Sequence, residues 1–183
     1  MKNKQAKIIY LDLDGVNCNF LKRAGEVHGV DLQDIDDWDI AKYLGISSAE
    51  FWKPIEEDGE SFWENLELFP WTLDLVEYLH SISDELYICT SPSRDPKCLS
   101  GKAKWIKNNL GHFKYLRSEH VIYTNKKYLL AAPNTVLVDD STKNVELFTA
   151  HGGKGLLFPT KYNKLREQFI NPGPLEYIKN LNL

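Results

Sequence analysis

Two aspartates, Asp12 and Asp14, lie two residues apart where the apolar segment Ile8–Leu11 gives way to a turn at Gly15. In an open parallel sheet, ligands bind at the carboxyl ends of the strands. A carboxylate pair at that edge can serve a metal ion and a phosphoryl group together. The residues therefore suggest phosphoryl-transfer chemistry. A polar strand end followed by a turn is the alternative, because Asp and Gly both favour turns.

Hydroxyl groups and a lysine follow the next two apolar strands. Thr90 and Ser91 come after the segment Leu86–Cys89, and hydroxyls and backbone amides at such an edge suit phosphate oxygens. A turn initiated by Pro92 is the alternative there. After the third strand, Lys127 is placed to neutralise negative charge on a phosphate and on a nucleophile, although lysines in loops are commonly just solvated.

A second acid pair, Asp139 and Asp140, ends the apolar segment Val136–Val138. Buried acids at that position are unfavourable unless a cation or hydrogen-bond donors meet them. Four successive strands thus end, in chain order, in an acid pair, hydroxyls, a lysine and an acid pair. Since four independent turns would rarely produce this order by chance, the sequence predicts one phosphoryl-transfer site.

The elements that must position these groups alternate between strand and helix patterns. Short apolar strands are predicted over Lys7–Asp12, Glu85–Thr90, His120–Thr124, Thr135–Asp139 and Gly155–Phe158. Helices are predicted around Leu75–Ile82, around Ala103–Leu110 with Gly111 as its stop, and over Thr142–Ala150. This alternation predicts a Rossmann-like three-layer α/β/α sandwich with a parallel sheet and right-handed crossovers.

Residues 17–70 interrupt the alternation, since they contain no convincing strand and are rich in acids and tryptophan. We predict that they form a small helical insertion over a core made of residues 1–16 and 71–183. Most aromatic side chains of the insertion are expected to hold it together. The tail Asn163–Leu183 is predicted to form one or two short helices broken at Pro172 and Pro174, without a chemical role.

Composition sets limits on the class of protein. A chain of 183 residues, 43% of them apolar, can bury one core and a small accessory unit. Its net charge of −4 gives no reason to expect binding to duplex nucleic acid. Three cysteines without metal-ligand spacing indicate reduced thiols and a cytoplasmic location. The apolar stretch near the start is too short for a signal sequence or a membrane span.

The order of the four motifs resembles that of the haloacid dehalogenase superfamily, in which a C1 cap is inserted between the first two motifs. Within the superfamily, the chain resembles the 5′(3′)-deoxyribonucleotidase group over roughly residues 7 to 150. The matching segments are Asp12-Leu-Asp-Gly-Val followed by Phe20, Phe62-Trp63-Glu64, Ile88-Cys-Thr-Ser-Pro92, Thr124-Asn-Lys-Lys127 and Leu137-Val-Asp139-Asp140.

This resemblance implies roles for individual residues. Asp12 would be the nucleophile that forms an aspartyl-phosphate, and Asp14 would protonate the leaving group and then deprotonate water. Thr90 and Ser91 would hold phosphate oxygens, and Lys127 would offset negative charge.

The same resemblance implies a Mg²⁺ site with oxygen ligands. Its ligands would be an oxygen of Asp12, the backbone carbonyl of Asp14 and the carboxylate of Asp140, with Asp139 in the outer shell.

The expected partner is a small phosphorylated substrate, first of all a nucleoside monophosphate whose base lies in a slot formed by Phe20, Phe62 and Trp63. Two alternatives keep the chemistry and change the substrate to a sugar phosphate or a nucleic-acid end phosphate. A catalytically silent binding module on the same fold is an alternative of another class. The sequence leaves the oligomeric state open, with a homodimer among the alternatives.

Overall fold

The computed structural model describes residues 7–32, residue 35 and residues 38–181. Within these residues, five parallel strands form the central sheet. They are β1 (Ile8–Leu11), β4 (Glu85–Thr90), β5 (Val121–Tyr123), β6 (Thr135–Asp139) and β7 (Lys154–Leu157). The strand order is β5-β4-β1-β6-β7, so the strand that leads into Asp12 lies in the middle. The predicted parallel α/β sandwich is confirmed.

The register of the sheet brings the predicted motifs to one edge. Leu11 of β1 pairs with Ile88 on one side and with Val138 on the other. The backbone N–H of Asp12 donates to the carbonyl of Val138 at 2.9 Å, which continues the ladder to the point where both strands end. The carboxyl ends of β1, β4 and β6 therefore meet, as the sequence predicts for a ligand site.

Helices cover both faces of the sheet. After β1 they are α5 (Thr72–Ser81), α6 (Pro96–Leu110), α7 (Thr142–Ala150), α8 (Arg166–Ile170) and α9 (Pro174–Asn180), together with short 3-10 helices at Ser118–His120 and Lys127–Leu130. Alternate residues of β1 face opposite layers. Ile9 and Leu11 join the main core, whereas Tyr10 packs with Leu137 and Phe148 beneath α7.

Among the described residues between β1 and α5, the structure contains four helices. They are α1 (Phe20–His28), α2 (Ile40–Leu44), α3 (Ser48–Asp58) and α4 (Glu60–Glu64). The expectation that this segment has no strand is wrong in one respect. β2 (Cys18–Asn19) pairs antiparallel with β3 (Glu67–Leu68). Each strand has two residues, which is too short to show an alternating pattern in the sequence.

Helix α4 packs closely on helix α6 at Gly101. A β-carbon added to Gly101 would lie 2.6 Å from the carbonyl oxygen of Glu60 and 2.6 Å from Cβ of Trp63. Farther along α6, the indole N–H of Trp105 donates to the carbonyl of Leu66 at 2.7 Å. The last turn of the insertion is therefore in backbone contact with a helix of the core.

The C-terminal tail contains the two short helices α8 and α9, separated near Pro172 as predicted. Ile178 of α9 is fully buried in the main core. Among the residues described, no helix combines the length and the apolar character needed to cross a bilayer.

Candidate active site

Lys127 joins the acids that end two neighbouring strands. Its Nζ lies 2.6 Å from Asp12 Oδ1 and 2.7 Å from Asp139 Oδ2, and its side chain is only 2% exposed. Burial alone would lower the pKa of Lys127, but Asp12 and Asp139 outweigh that effect and raise it. Asp12 Oδ1 also accepts a hydrogen bond from the backbone N–H of Leu13 at 2.8 Å. These contacts fix the orientation of the Asp12 carboxylate.

Asp139 is fully buried, and several donors satisfy its carboxylate. Besides Lys127, the backbone N–H of Ser141 donates to Oδ1 at 2.8 Å. The side-chain amide of Asn144 lies 3.2 Å from Oδ1 and 3.1 Å from Oδ2. The Asp139 carboxylate thus holds Lys127 and the start of α7 in place.

Asp140 has a different environment. The hydroxyl group of Tyr162 donates to Asp140 Oδ2 at 2.5 Å, and the side-chain amide of Asn163 donates to the backbone carbonyl of Asp140 at 3.0 Å. Gly15 passes close to the same carboxylate with φ of +76°, and an added β-carbon would collide with both Asp140 and Tyr162. Glycine is therefore required at this turn for space as well as for conformation.

One carboxylate oxygen from each of Asp12, Asp139 and Asp140 lies within 4.8 Å of the other two. Burial raises the pKa of Asp12 to about 7; the charge of Lys127 opposes the shift and that of Asp139 adds to it. Burial also raises the pKa of Asp140 well above its ordinary value, and the charges of Asp139 and Asp12 add to that shift. A cluster of buried acids with unfavourable charge fits a hard cation with oxygen ligands.

Asp14 pairs with a buried lysine that the sequence analysis missed. Lys102 Nζ lies 2.5 Å from Asp14 Oδ2, and it also donates to Thr90 Oγ1 and to the carbonyl of Ser91, each at 2.8 Å. Burial alone would lower the pKa of Lys102, but the charge of Asp14 outweighs it and raises the pKa. Lys102 therefore fixes Asp14 relative to the predicted phosphate-binding segment.

One sequence signal could have identified Lys102. It lies four residues after Cys98 and three before Trp105, so it occupies the apolar face of α6. Lysine is rarely fully buried unless it is paired, and here the side chain is fully buried and also lies 4.9 Å from the centre of the Trp63 ring. A lysine within an apolar helical stripe predicts a buried partner of opposite charge.

A cavity of about 660 Å³ opens between the insertion and the sheet edge. Its aromatic wall includes Phe20 and Trp63 of the predicted slot, together with Trp38 and Trp52. Phe62 differs from the expectation: it is fully buried and packs edge-on against Phe20 at 5.5 Å. It supports the wall from behind because its neighbours stand between it and the cavity.

Trp38 has the most exposed ring of this wall. It is 46% exposed, whereas Phe20 is 4% exposed, and their ring centres lie 5.7 Å apart. On its other side, the Trp38 ring lies 5.2 Å from the ring of Tyr162. The sequence pattern gave no reason to distinguish Trp38 from the other aromatic residues of the insertion.

A second cavity, of about 590 Å³, is lined by Asp12, Asp14 and Asp140. Asp14, Trp38 and Ser91 line both cavities, so they form one site with two lobes. We call the first cavity the aromatic lobe. The second is the basic lobe, because Lys161, Lys164 and Arg166 contribute to its wall. Thr90, which was predicted to contact phosphate, is fully buried behind Ser91.

The tail, for which the sequence predicts no chemical role, reaches the candidate site: Asn163 donates to the carbonyl of Asp140, and Lys164 and Arg166 line the basic lobe. Tyr162 and Asn163 follow β7, the last strand of the sheet. Polar side chains after the first four predicted strands are the site residues that the sequence predicts. The same argument applied to the fifth strand would have identified these two.

Solved structures of haloacid dehalogenase-like hydrolases share the fold. SP0104 from Streptococcus pneumoniae, described as a haloacid dehalogenase-like family protein, has a TM-score of 0.58 at 18% identity, over 96% of this chain and 98% of that chain. YfnB from Bacillus subtilis, a HAD-hydrolase crystallised with magnesium, has a TM-score of 0.58 at 14% identity, over 97% and 99% of the two chains. At these identities the likeness establishes the fold alone.

Among curated protein sequences, none matches the chain significantly. A family model does match: the family described as 5′ nucleotidase, deoxy (pyrimidine), cytosolic type C aligns with residues 6–171. That alignment covers the sheet, the insertion, both acid pairs and the two buried lysines. The chain therefore belongs to this nucleotidase family, and its fold is that of haloacid dehalogenase-like hydrolases.

Proposed function

We propose that this chain is a Mg²⁺-dependent phosphomonoesterase that releases phosphate from nucleoside monophosphates, deoxyribonucleotides above all. The observation that carries the proposal is the contact of Lys127 with both Asp12 and Asp139 beside the third acid, Asp140. This arrangement holds a carboxylate nucleophile and a cation-binding acid at one point of the sheet edge.

The residues fit a magnesium ion. Asp139 already receives hydrogen bonds from Lys127, Ser141 and Asn144, so Asp140 is the better direct ligand and Asp139 supports the site from the outer shell. An oxygen of Asp12 and the backbone carbonyl of Asp14 would complete the protein ligands. When bound, Mg²⁺ would supply positive charge against the phosphate oxygens and the acids.

In the first half-reaction, an oxygen of Asp12 attacks phosphorus, and the bond from phosphorus to the ester oxygen breaks. Asp14 gives its proton to that ester oxygen, which leaves as an alcohol. Lys127 and the N–H of Leu13 hold Asp12 for the attack. Lys102 holds Asp14 where it can reach the leaving oxygen.

In the second half-reaction, water attacks the phosphorus of the aspartyl-phosphate on Asp12. Asp14, now deprotonated, takes a proton from that water, and the bond between phosphorus and the Asp12 oxygen breaks. Inorganic phosphate leaves and both acids return to their starting states. Ser91 lines the cavity beside Asp14 and would contact phosphate oxygens directly.

The aromatic lobe supports a nucleoside as the leaving group. Aromatic residues contribute favourable stacking energy to any nucleobase, and Trp38, Trp52 and Trp63 form one side of this lobe. Asn125 lines the other side and offers an amide that can donate to, or accept from, the edge of a base. Residues 17–70 would then act as the cap that selects the substrate. The description of the family as cytosolic supports a cytoplasmic location.

Phosphate release from a panel of substrates tests the proposal. The panel contains ribo- and deoxyribonucleoside monophosphates, sugar monophosphates and a 5′-phosphorylated oligonucleotide, each with and without Mg²⁺. We expect kcat/KM to be highest for deoxyribonucleoside monophosphates. Higher values for a sugar phosphate or for the oligonucleotide would overturn the substrate class. Absence of turnover with every compound would instead indicate a silent binding module.

A further inference from the structure

The mechanism for a simple monophosphate uses the acids of the basic lobe but not the cations of its wall. The lobe extends from Asp12 and Asp14, past Ser141 and Thr142, to the segment that carries Lys161, Lys164 and Arg166. The aromatic lobe lies on the other side of Trp38. A substrate held at Asp12 therefore has two directions in which to place its remaining groups.

The loop that carries these cations is held against the metal-binding edge. The side-chain amide of Asn163 donates to the carbonyls of Asp140 and Phe158, at 3.0 and 2.8 Å. Its Oδ1 accepts from the backbone N–H of Leu165 at 3.0 Å. Lys164 and Arg166 are next to these anchored residues in the chain, so the hydrogen bonds of Asn163 hold their backbone beside the metal-binding edge.

The charges of Lys164 and Arg166 are available to a ligand. Arg166 is exposed, and within the part of the chain that the structure describes no carboxylate forms an ion pair with it. Lys164 makes one loose contact, with its Nζ 4.0 Å from Glu146 Oε1 and both side chains more than 60% exposed. Such exposed pairs contribute little, so a phosphate can displace Glu146 at small cost.

A concentration of cations beside the acids is unusual in a chain with a net charge of −4. The basic lobe, of about 590 Å³, has the size of an ordinary small-molecule site. Guanidinium groups bind phosphate through two parallel hydrogen bonds, and Lys164 adds a second positive charge. This chemistry recognises a phosphate group other than the one that reacts at Asp12.

We propose that the basic lobe binds a second phosphate group of the substrate, so that the enzyme prefers a nucleoside bisphosphate to the matching monophosphate. This inference rests on the proposed function and names its substrate class more closely. In a nucleoside 3′,5′-bisphosphate, the base and the two phosphates project from different carbons of one sugar. The base would lie in the aromatic lobe, the reacting phosphate at the acids, and the second phosphate in the basic lobe.

Binding to a non-hydrolysing background variant, Asp12→Asn, tests the inference in the presence of Mg²⁺. The ligands are a deoxyribonucleoside 5′-monophosphate, its 3′,5′-bisphosphate and a 5′-phosphorylated dinucleotide with the same first nucleoside, each titrated by calorimetry at low and high salt. We expect the bisphosphate to bind about three- to tenfold more tightly than the monophosphate at low salt, with a smaller ratio at high salt. The dinucleotide shows whether a bridging phosphate satisfies the lobe as well as a terminal one.

Arg166→Gln should remove most of the preference for the bisphosphate and leave the Kd of the monophosphate unchanged, and Lys164→Gln should act in the same direction. Arg117→Gln is the matched control, because Arg117 is also exposed but precedes β5 at the opposite edge of the sheet. Equal Kd values for the bisphosphate and the monophosphate would overturn the inference. Equal weakening of both ligands by Arg166→Gln would also overturn it, since that result indicates general attraction of anions.

The experiments distinguish failure of this inference from failure of the proposed function. If wild-type enzyme hydrolyses monophosphates but shows no preference for bisphosphates, this inference alone fails. If the bisphosphate binds more tightly but no nucleotide is hydrolysed, the proposed function fails and the phosphate subsite stands.

Discussion

Lys102 and Asp14 form a partly buried ion pair across 88 residues of sequence, with 2.5 Å between Nζ and Oδ2. The lysine side chain is fully buried, and the aspartate side chain is 18% exposed. The pair links a helix of the core to the acid that we assign to proton transfer. Two further hydrogen bonds, to Thr90 Oγ1 and the carbonyl of Ser91, leave Lys102 little freedom to move.

Replacing Lys102 with methionine should keep the size of the side chain and remove the constraint on Asp14. We expect kcat for a nucleoside monophosphate to fall by about 100-fold, as for other misplaced catalytic groups. The kcat for p-nitrophenyl phosphate should fall less, because its leaving group needs little protonation. The control is Lys104→Met, two residues along α6, where the lysine is 48% exposed and pairs with Glu60. Equal losses for the two substrates would show that Lys102 only stabilises the fold.

The three acids beside Lys127 predict dependence on a divalent cation. Excess EDTA should abolish phosphate release, and Mg²⁺ should restore it. Mg²⁺ at about 100 times its Kd should also raise Tm by several degrees, because it binds the folded state. Asp140→Asn should abolish the Tm shift, whereas Glu146→Gln, an exposed acid on α7, should retain it. Full activity in EDTA would refute the metal site.

The two acids of the first motif should behave differently when each is changed to asparagine. Asp12→Asn removes the nucleophile and should abolish turnover of every substrate. Asp14→Asn should slow nucleotide hydrolysis by about 100- to 10,000-fold, the usual contribution of general acid–base catalysis, with a smaller effect on p-nitrophenyl phosphate. Burst kinetics and mass spectrometry of the phosphorylated enzyme measure the first step. Near-normal turnover by Asp12→Asn would contradict a covalent mechanism.

Substitutions of two aromatic residues in the aromatic lobe should have different effects. Trp38 is half-exposed, so Trp38→Ala should raise KM for a nucleoside monophosphate by about 5- to 150-fold through lost stacking and affect p-nitrophenyl phosphate less. Phe20 is buried among other rings, so Phe20→Ala should lower stability by about 3–5 kcal/mol. Tyr43→Ala, an exposed position on α2, serves as control. The stacking role of Trp38 is disproved if its variant slows both substrates alike.

The cysteines should be unreactive in the folded protein. Burial raises the pKa of Cys89 to about 12, and it also raises the pKa of Cys18 and Cys98. The thiolate is the reactive form, and a higher pKa leaves less thiolate at any given pH. A thiol reagent at pH 8 should label none of the three residues quickly in native protein and all three after unfolding. Rapid labelling of native protein would show that a cysteine is accessible.

The sheet and its edge could be predicted because strand and helix periods are local properties of the sequence. Helix α7 begins at Thr142 and ends at Ala150 as predicted, and β6 spans Thr135–Asp139 as predicted. Asp12, Lys127 and Asp139 meet because parallel strands bring their carboxyl ends to one edge. No pairing of distant residues had to be known in advance for that result.

The parts of the site that could not be predicted from the sequence depend on contacts that no local pattern specifies. Lys102 reaches Asp14 from the middle of α6, and Trp38 reaches the cavity from a position just before α2. The exposure of Trp38 and the burial of Phe62 result from how four short helices pack on the core. A two-residue ribbon such as β2 with β3 is likewise defined by its partner and has no pattern of its own.

The contact at Gly101 has a consequence for how selectivity can change in this enzyme. Gly101 touches the backbone of α4, which carries Trp63, and the next residue in the chain is Lys102, the partner of Asp14. The position of the aromatic wall and the position of Asp14, the acid that we assign to proton transfer, thus depend on adjacent residues of one helix. Any larger residue at position 101 would displace the wall and disturb the chemistry at once. We therefore expect a substitution at Gly101 to change substrate selectivity and proton transfer together.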